Sequence, residues 1–273
     1  MKWDYPQRIV CLTEETTETL YLLGAEDRIV GISGFTVRPP RARKEKPKVS
    51  AFTSARIDKI KALSPDLVLA FSDLQADIAA ELVRLGIEVH VFNHRSVAEI
   101  FRTIALVAAM VGARSRGDAL LAELNDRVER VRDAGNRLAR RPRVYFEEWD
   151  DPMICGIQWV SELIGIAGGE DCFADKATSS LATGRIFADS APVIDAAPEL
   201  IIGSWCGKKF RAERVAERDG FDAIPAVRNG EIHEIKSPLI LQPGPAALTD
   251  GLDALHALIA RVAAMPDSVA SLQ

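Results

Sequence analysis

The sequence predicts an α/β protein of two lobes, each a parallel sheet flanked by helices, joined by one long α-helix with a ligand cleft between the lobes. Three observations predict it. Short β-branched runs alternate with helical patterns in both halves of the chain. A single long amphipathic stretch, residues 114–139, separates the halves. A helix–turn–strand segment occurs twice, as "IKALSPDLVLAFS" (60–72) and "VIDAAPELIIGSW" (193–205), with Pro198 answering Pro65, Glu199 answering Asp66 and Leu200 answering Leu67. The doubling is architectural: each half builds a helix, a Pro-led turn and a parallel strand that ends at the same edge of its own sheet.

The first lobe, residues 1–110, opens with the strand "RIVCL" (8–12), followed by "RIVGIS" (28–33), "LVLAF" (67–71) and "VHVF" (89–92). Between the first two, Thr13 reads as a helix N-cap, Glu14 and Glu15 sit in the first turn where the helix dipole favours acids, and Gly24 closes the helix. "RPPRARKEKPK" (38–48) concentrates six basic residues and three prolines and reads as an exposed, stiff connection. The connecting helix occupies residues 111–140, would span roughly 35 to 40 Å, and stops before Pro142. The second lobe, residues 141–273, resumes with "VYFEEW" (144–149), "LIIGSW" (200–205) and "EIHEI" (231–235), with helices around 158–167, 189–197 and 248–264. In such Rossmann-like lobes ligands bind beyond the carboxyl ends of the strands, so two facing edges make the expected cleft.

Composition excludes several functions. A net charge of −5 argues against nucleic acid, which needs a positive face. The absence of any run of eighteen apolar residues argues against a membrane-embedded protein. "MKWDYPQRIVCL" has no apolar leader core or small-residue cleavage site, which gives an expectation of a cytoplasmic protein, or a periplasmic one if a leader has been removed. Cys11, Cys155, Cys172 and Cys206 lack CxxC spacing and read as thiols, not disulfides. With four histidines, of which only His94 is well placed for the cleft, a transition-metal-ion site is not expected, nor is a resident cofactor; a monomer is. GxSxG, GxxxxGK[ST] and HExxH are all missing.

The strand ends supply the candidate binding residues. "FEEWDD" (146–151) reads either as a solvated acidic loop or as a site in which Trp149 stacks on a flat ligand while Glu147 or Glu148 accepts hydrogen bonds. Trp205 and Cys206 end the second copy of the repeat, as Phe71, Ser72 and Asp73 end the first; Trp205 either faces the cleft or packs on its own lobe, and Cys206 is a weak candidate for a soft metal ligand. Arg38 is the basic residue placed to pair with a ligand carboxylate or phosphate.

The ordered series "RIVCLTEETTETLYLLGAEDRIVGIS", "PKVSAFTSARIDKIKALSPDLVLAF", "WVSELIGIAGGEDCF", "IDAAPELIIGS" and "IPAVRNGEIHEI" resembles the substrate-binding proteins of ABC importers for cobalamin, iron-siderophore and haem, in the class whose lobes are joined by one rigid helix. The similarity covers nearly the whole chain and is nearest to the cobalamin-binding branch. It implies non-catalytic capture of a metal chelate, cobalamin above haem and ferric siderophore. The expected aromatic walls are Phe35, Phe52, Phe71, Trp149, Trp159 and Trp205, and the expected polar groups Arg38, Ser72, Asp73, His94, Glu148 and Gln242. It also implies an ABC permease as partner, met by surface acids, here Asp77 or Glu81 in the first lobe and Glu217 or Asp219 in the second. The rival expectation is a small-molecule hydrolase or lyase using Glu147 and Glu148 as acid and base.

Overall fold

Strand β1 (Ile9–Cys11) is apolar and fully buried at every position because it runs through the middle of a parallel sheet, where both faces are covered. The computed structural model describes residues 5–266; residues 1–4, on which part of the N-terminal reading rests, and residues 267–273 lie outside the described residues. The chain divides into two units, the first formed by Met1–His94, Ala98–Leu124 and Gln242–Pro245, the second by Arg95–Val97, Asn125–Leu241 and Ala246–Gln273.

In unit 1, β1 leads into helix α1 (Glu14–Leu22), then β2 (Ile29–Ser33), α2 (Ala42–Glu45), β3 (Lys48–Ser50), α3 (Ile57–Ala62), β4 (Leu67–Phe71), α4 (Ala76–Arg84) and β5 (Val89–Phe92), followed by α5 (Val97–Met110). The sheet order is β3-β2-β1-β4-β5, every pair parallel, with Ile9 opposite Ile29 on one side and Leu67 on the other. The basic 38–48 stretch departs from the expected loop: it holds α2 and reaches β3, with Arg43 Nη1 donating to the Gly34 and Thr36 carbonyls at 2.8 and 3.1 Å. Elements this short carry no periodicity that a sequence could reveal. Helix α6 (Arg114–Asn136) contributes to both units, the division falling after Leu124.

Unit 2 holds β6 (Arg143–Asp150), β7 (Met153–Cys155), α7 (Gln158–Ile166), β8 (Glu170–Asp171), α8 (Ala174–Ala177), α9 (Ala191–Ala196), β9 (Leu200–Gly203), α10 (Ala212–Ala216), α11 (Pro225–Arg228), β10 (Ile232–Glu234), α12 (Ser237–Ile240) and α13 (Leu252–Ala263). The sheet order is β10-β9-β6-β7, with β8 also on β6. It is parallel except for β7, which turns back antiparallel on the end of β6 and pairs Trp149 with Ile154. The all-parallel expectation therefore needs correction at this edge. Trp149 lies within a hairpin and does not follow a strand.

The doubled segment has a physical counterpart. The residue before each proline is left-handed, Ser64 at φ 45° and Ala197 at φ 44°, which turns the chain sharply from helix into strand. The acid after each proline then binds the start of the neighbouring strand. Asp66 accepts from the backbone N–H groups of Gln7 and Arg8 at 2.7 and 2.9 Å, and Glu199 from that of Arg143 at 3.0 Å. In return, the Arg8 guanidinium donates to the Leu63 and Ser64 carbonyls, and that of Arg143 to the Ala197 carbonyl. Each unit thus closes the same clasp, in which one arginine and one acid join the end of a helix to the two central strands.

Asp66→Ala and Glu199→Ala should each lower unfolding free energy by about 1–3 kcal/mol in urea titrations, since strand-entry N–H groups lose a charged acceptor. A null effect at both positions would show that the clasp is ornamental to folding.

Candidate functional site

Because the strands of unit 1 are parallel, the residues that follow them emerge at one edge: Thr13, Glu14 and Glu15 after β1, Phe35 and Arg38 after β2, Phe52 after β3, Ser72 and Asp73 after β4, and His94 after β5. Gln75, fully buried and not anticipated from sequence, ties three of these exits together. Its amide oxygen accepts from the Phe71 N–H at 3.0 Å, and its nitrogen donates to the Phe52 and Leu12 carbonyls at 2.9 and 3.4 Å. A glutamine can do this because its amide carries both donors and acceptor.

The predicted residues divide at this edge. Phe35 is 45% exposed and Phe52 partly buried against the core, so both retain surface. Phe71 is core, edge-to-face with His94 at 5.1 Å, so neither ring offers a face to a ligand. His94 is buried and its Nε2 donates to the Pro243 carbonyl at 2.8 Å, a structural bond that holds the Gln242–Pro245 segment on unit 1. Ser72 is buried at φ 64° and its hydroxyl accepts from the Leu74 N–H at 3.3 Å, which shapes the turn and leaves no ligand role visible. Asp73 is exposed and Gln242 half-buried. Arg38 is engaged by Glu18, Nε to Oε1 at 2.7 Å.

Thr13 occupies the N-cap position of α1, as expected, with extended backbone at φ −135° and ψ 169°, but its side chain makes no cap hydrogen bond; its hydroxyl donates to Glu15 Oε1. Glu14 and Glu15 are 7% and 2% exposed, not dipole-complementing surface acids. Burial, reinforced by the neighbouring charges of Glu15 and Glu18, pushes the Glu14 carboxyl up to about 8. Burial likewise pushes Glu15 up to about 7.

In unit 2 the acidic run is neither a solvated loop nor an open site. Glu147 is fully buried; it accepts from Tyr145 Oη, Trp205 Nε1 and Arg218 Nη2, each at 3.0 Å. Burial and the Glu147 charge hold the Tyr145 phenol well above its ordinary range. Glu148 pairs with the buried Arg185, and Asp150 with Lys208 at 2.6 Å. Lys208 Nζ also lies 5.4 and 5.3 Å from the Trp149 and Trp205 ring centroids. Three carboxylates each have a cation, so Glu147 and Glu148 lack the freedom an acid–base pair needs.

Trp205 is 3% exposed and packs edge-on against Phe210 at 4.8 Å, and Trp159 is equally buried with Nε1 donating to the Ile240 carbonyl at 2.9 Å. Both are core residues, contrary to the expected aromatic walls. Trp149 alone of the three keeps partial exposure, its Nε1 donating to the Asp151 carbonyl at 2.9 Å. No group of three His, Cys, Asp or Glu among the described residues could hold a metal ion. The Cys11, Cys155 and Cys172 thiols are pushed up to about 12 by burial, which keeps them protonated and unreactive. Asp77, Glu81, Glu217 and Asp219 are all exposed. Among the described residues, no helix is long and apolar enough to cross a membrane.

Comparison with known proteins adds three findings. The model of the periplasmic binding protein family matches residues 9–239. An uncharacterised ABC transporter substrate-binding lipoprotein of Bacillus subtilis is 25% identical over 92% of this chain and 79% of its own length, and a vitamin B12-binding protein of Vibrio parahaemolyticus is 24% identical over 89% and 86%. The apo structure of a periplasmic heme-binding protein from Roseiflexus superposes with a TM-score of 0.79 at 23% identity, over 93% of this chain and 99% of that one, a likeness of fold.

Arg218→Met should destabilise the protein by about 3 kcal/mol or more, because it strands the Glu147 carboxylate in the core. Thermal unfolding reads this directly. An unchanged midpoint would mean that the Glu147 network is dispensable.

Proposed function

Because the chain belongs to the periplasmic binding protein family, we propose that it captures cobalamin or a related corrinoid, ahead of haem and ferric siderophores, as the substrate-binding component of an ABC transporter. Members of this family are binding proteins of transporters and not enzymes. The observation that carries the ligand choice is the vitamin B12-binding relative, which is similar over 89% of the chain. Phe35 and Phe52 in unit 1 and Trp149 in unit 2 are the aromatic groups of the expected set that keep surface for a flat macrocycle. The ion pairs of Glu147 and Glu148 speak for a binding surface over the rival hydrolase reading.

Incubation with cyanocobalamin, haemin or a ferric siderophore, followed by desalting, should leave a corrinoid visible spectrum on the protein. Phe35→Ala and Trp149→Ala should each weaken retention by about thirty-fold, the cost of truncating an aromatic anchor, whereas Trp205→Ala should chiefly lower the melting temperature. Retention of haem alone would replace the ligand; retention of none would overturn the reading.

The partner in this reading is an ABC permease, met by Asp77 or Glu81 of α4 and by Glu217 or Asp219 just beyond α10. Glu81→Lys with Glu217→Lys should abolish ligand uptake while leaving ligand affinity intact. Uptake at the parent rate, or recovery of the native gene product in the cytoplasm, removes the docking role.

A further inference from the structure

Charge in this chain is unevenly placed. Residues 38–61 carry nine lysines and arginines against two acids, whereas the rest of the chain carries 25 against 37. The fold gathers that excess on one edge of unit 1. Strand β3 is the outermost strand of its sheet, with α2 before it and α3 after it. Lys48 Nζ donates to the Arg43 carbonyl, which ties the strand to α2. Beyond β3 the chain turns back, the Arg56 N–H donating to the Val49 carbonyl at 2.8 Å, and so brings α3 to the same edge. Ile60 is buried and Ile57 packs against the core, which leaves Lys59 and Lys61 exposed.

Most of this charge is uncompensated. Arg38 is paired with Glu18, and Arg41 with Glu26 and Glu45. Arg43 is bound to the Gly34 and Thr36 carbonyls, which do not cancel its charge. Lys44, Lys46, Lys48, Arg56, Lys59 and Lys61 form no ion pair among the described residues, and all but the half-buried Lys46 are exposed. The acids of the stretch are Glu45 and Asp58. Glu81 of α4 shares with Asp58, Arg56, Lys59 and Lys61 a recess of about 540 Å³.

What the face lacks narrows the kind of anion it fits. None of the large exposed apolar side chains lies between residues 38 and 61. Protein interfaces are depleted in lysine and anchored by buried aromatics, and single-stranded nucleic acid is held by stacking on aromatics. A duplex reaching past the face would meet the net acidity of the remaining chain. A plane of negative headgroups needs no anchor. It requires only several Lys and Arg within a Debye length, about 8 Å at physiological salt, and it touches one side of the molecule.

We propose that the edge formed by α2, β3 and α3 is a peripheral docking surface for a membrane, binding anionic phospholipid headgroups through these six side chains. The surface is independent of which ligand the protein captures.

Sedimentation of the full chain with lipid vesicles tests it. At about 50 mM salt the protein should bind vesicles containing about one-third phosphatidylglycerol and not those of phosphatidylcholine alone, and about 500 mM salt should release it. Lys44→Gln/Lys46→Gln/Lys48→Gln and Arg56→Gln/Lys59→Gln/Lys61→Gln should each weaken binding by about tenfold or more. Arg114→Gln/Arg130→Gln/Arg137→Gln removes as much charge from exposed positions elsewhere and should leave binding within about twofold of the parent. The lipid and salt comparisons need only the parent protein, so a variant that fails to fold leaves the test intact. Equal binding to both kinds of vesicle, or an equal loss in the control variant, overturns the docking surface. Tighter binding of duplex DNA or of polyglutamate than of the anionic vesicles at the same salt overturns it in favour of a nucleic acid or an acidic protein.

Discussion

Everything at the two sheet edges depends on how each sheet is entered. In both units an arginine at the start of the central strand holds the carbonyls at a helix end, while the acid after the turn's proline holds that arginine's own backbone N–H. The Asp66 N–H also donates to the Arg8 carbonyl at 3.0 Å, and the Glu199 N–H to the Arg143 carbonyl at 2.8 Å. A parallel pair has no tight hairpin to set its register, so something else must fix it. Here the two-way clasp does so, and the opposite ends of the same strands then emerge in step.

What emerges in unit 1 is polar and restrained. Gln75 ties the exits of β1, β3 and β4, and Ser72 accepts a strained left-handed backbone to make its turn. With the loops so held, α1 keeps three acids out of water, Glu14 and Glu15 of its first turn and Glu18 beyond it, and burial raises the first two in affinity for protons. Rigid loops allow polar groups to be placed for a ligand before it arrives, which saves the ordering entropy that mobile loops would lose on binding.

Unit 2 uses charge differently. Glu147 receives donors from a tyrosine, a tryptophan and an arginine, so strand β6 is locked to the loop after β9 and to the segment after α10. Lys208 lies above two indoles and pairs with Asp150, which covers the same region from outside. The acidity of this strand end is internal scaffolding, and Trp149 keeps partial exposure beside it.

The sequence by itself determined the α/β class, the repeat and the family, because these reside in local periodicity, in the Pro-acid turn and in an ordered series of motifs along the chain. It could not sort the aromatics or the acids. Trp205 and Trp149 both read from sequence as strand-end tryptophans, yet one is core and the other partly exposed; Glu14 looks like any first-turn acid and is buried. Those outcomes were decided by partners distant in the chain: Trp205 lies 58 residues from Glu147, and Arg218 lies 71 residues from it. Burial and ion pairing are set by which side chains meet in three dimensions, and only the tertiary structure brings these together.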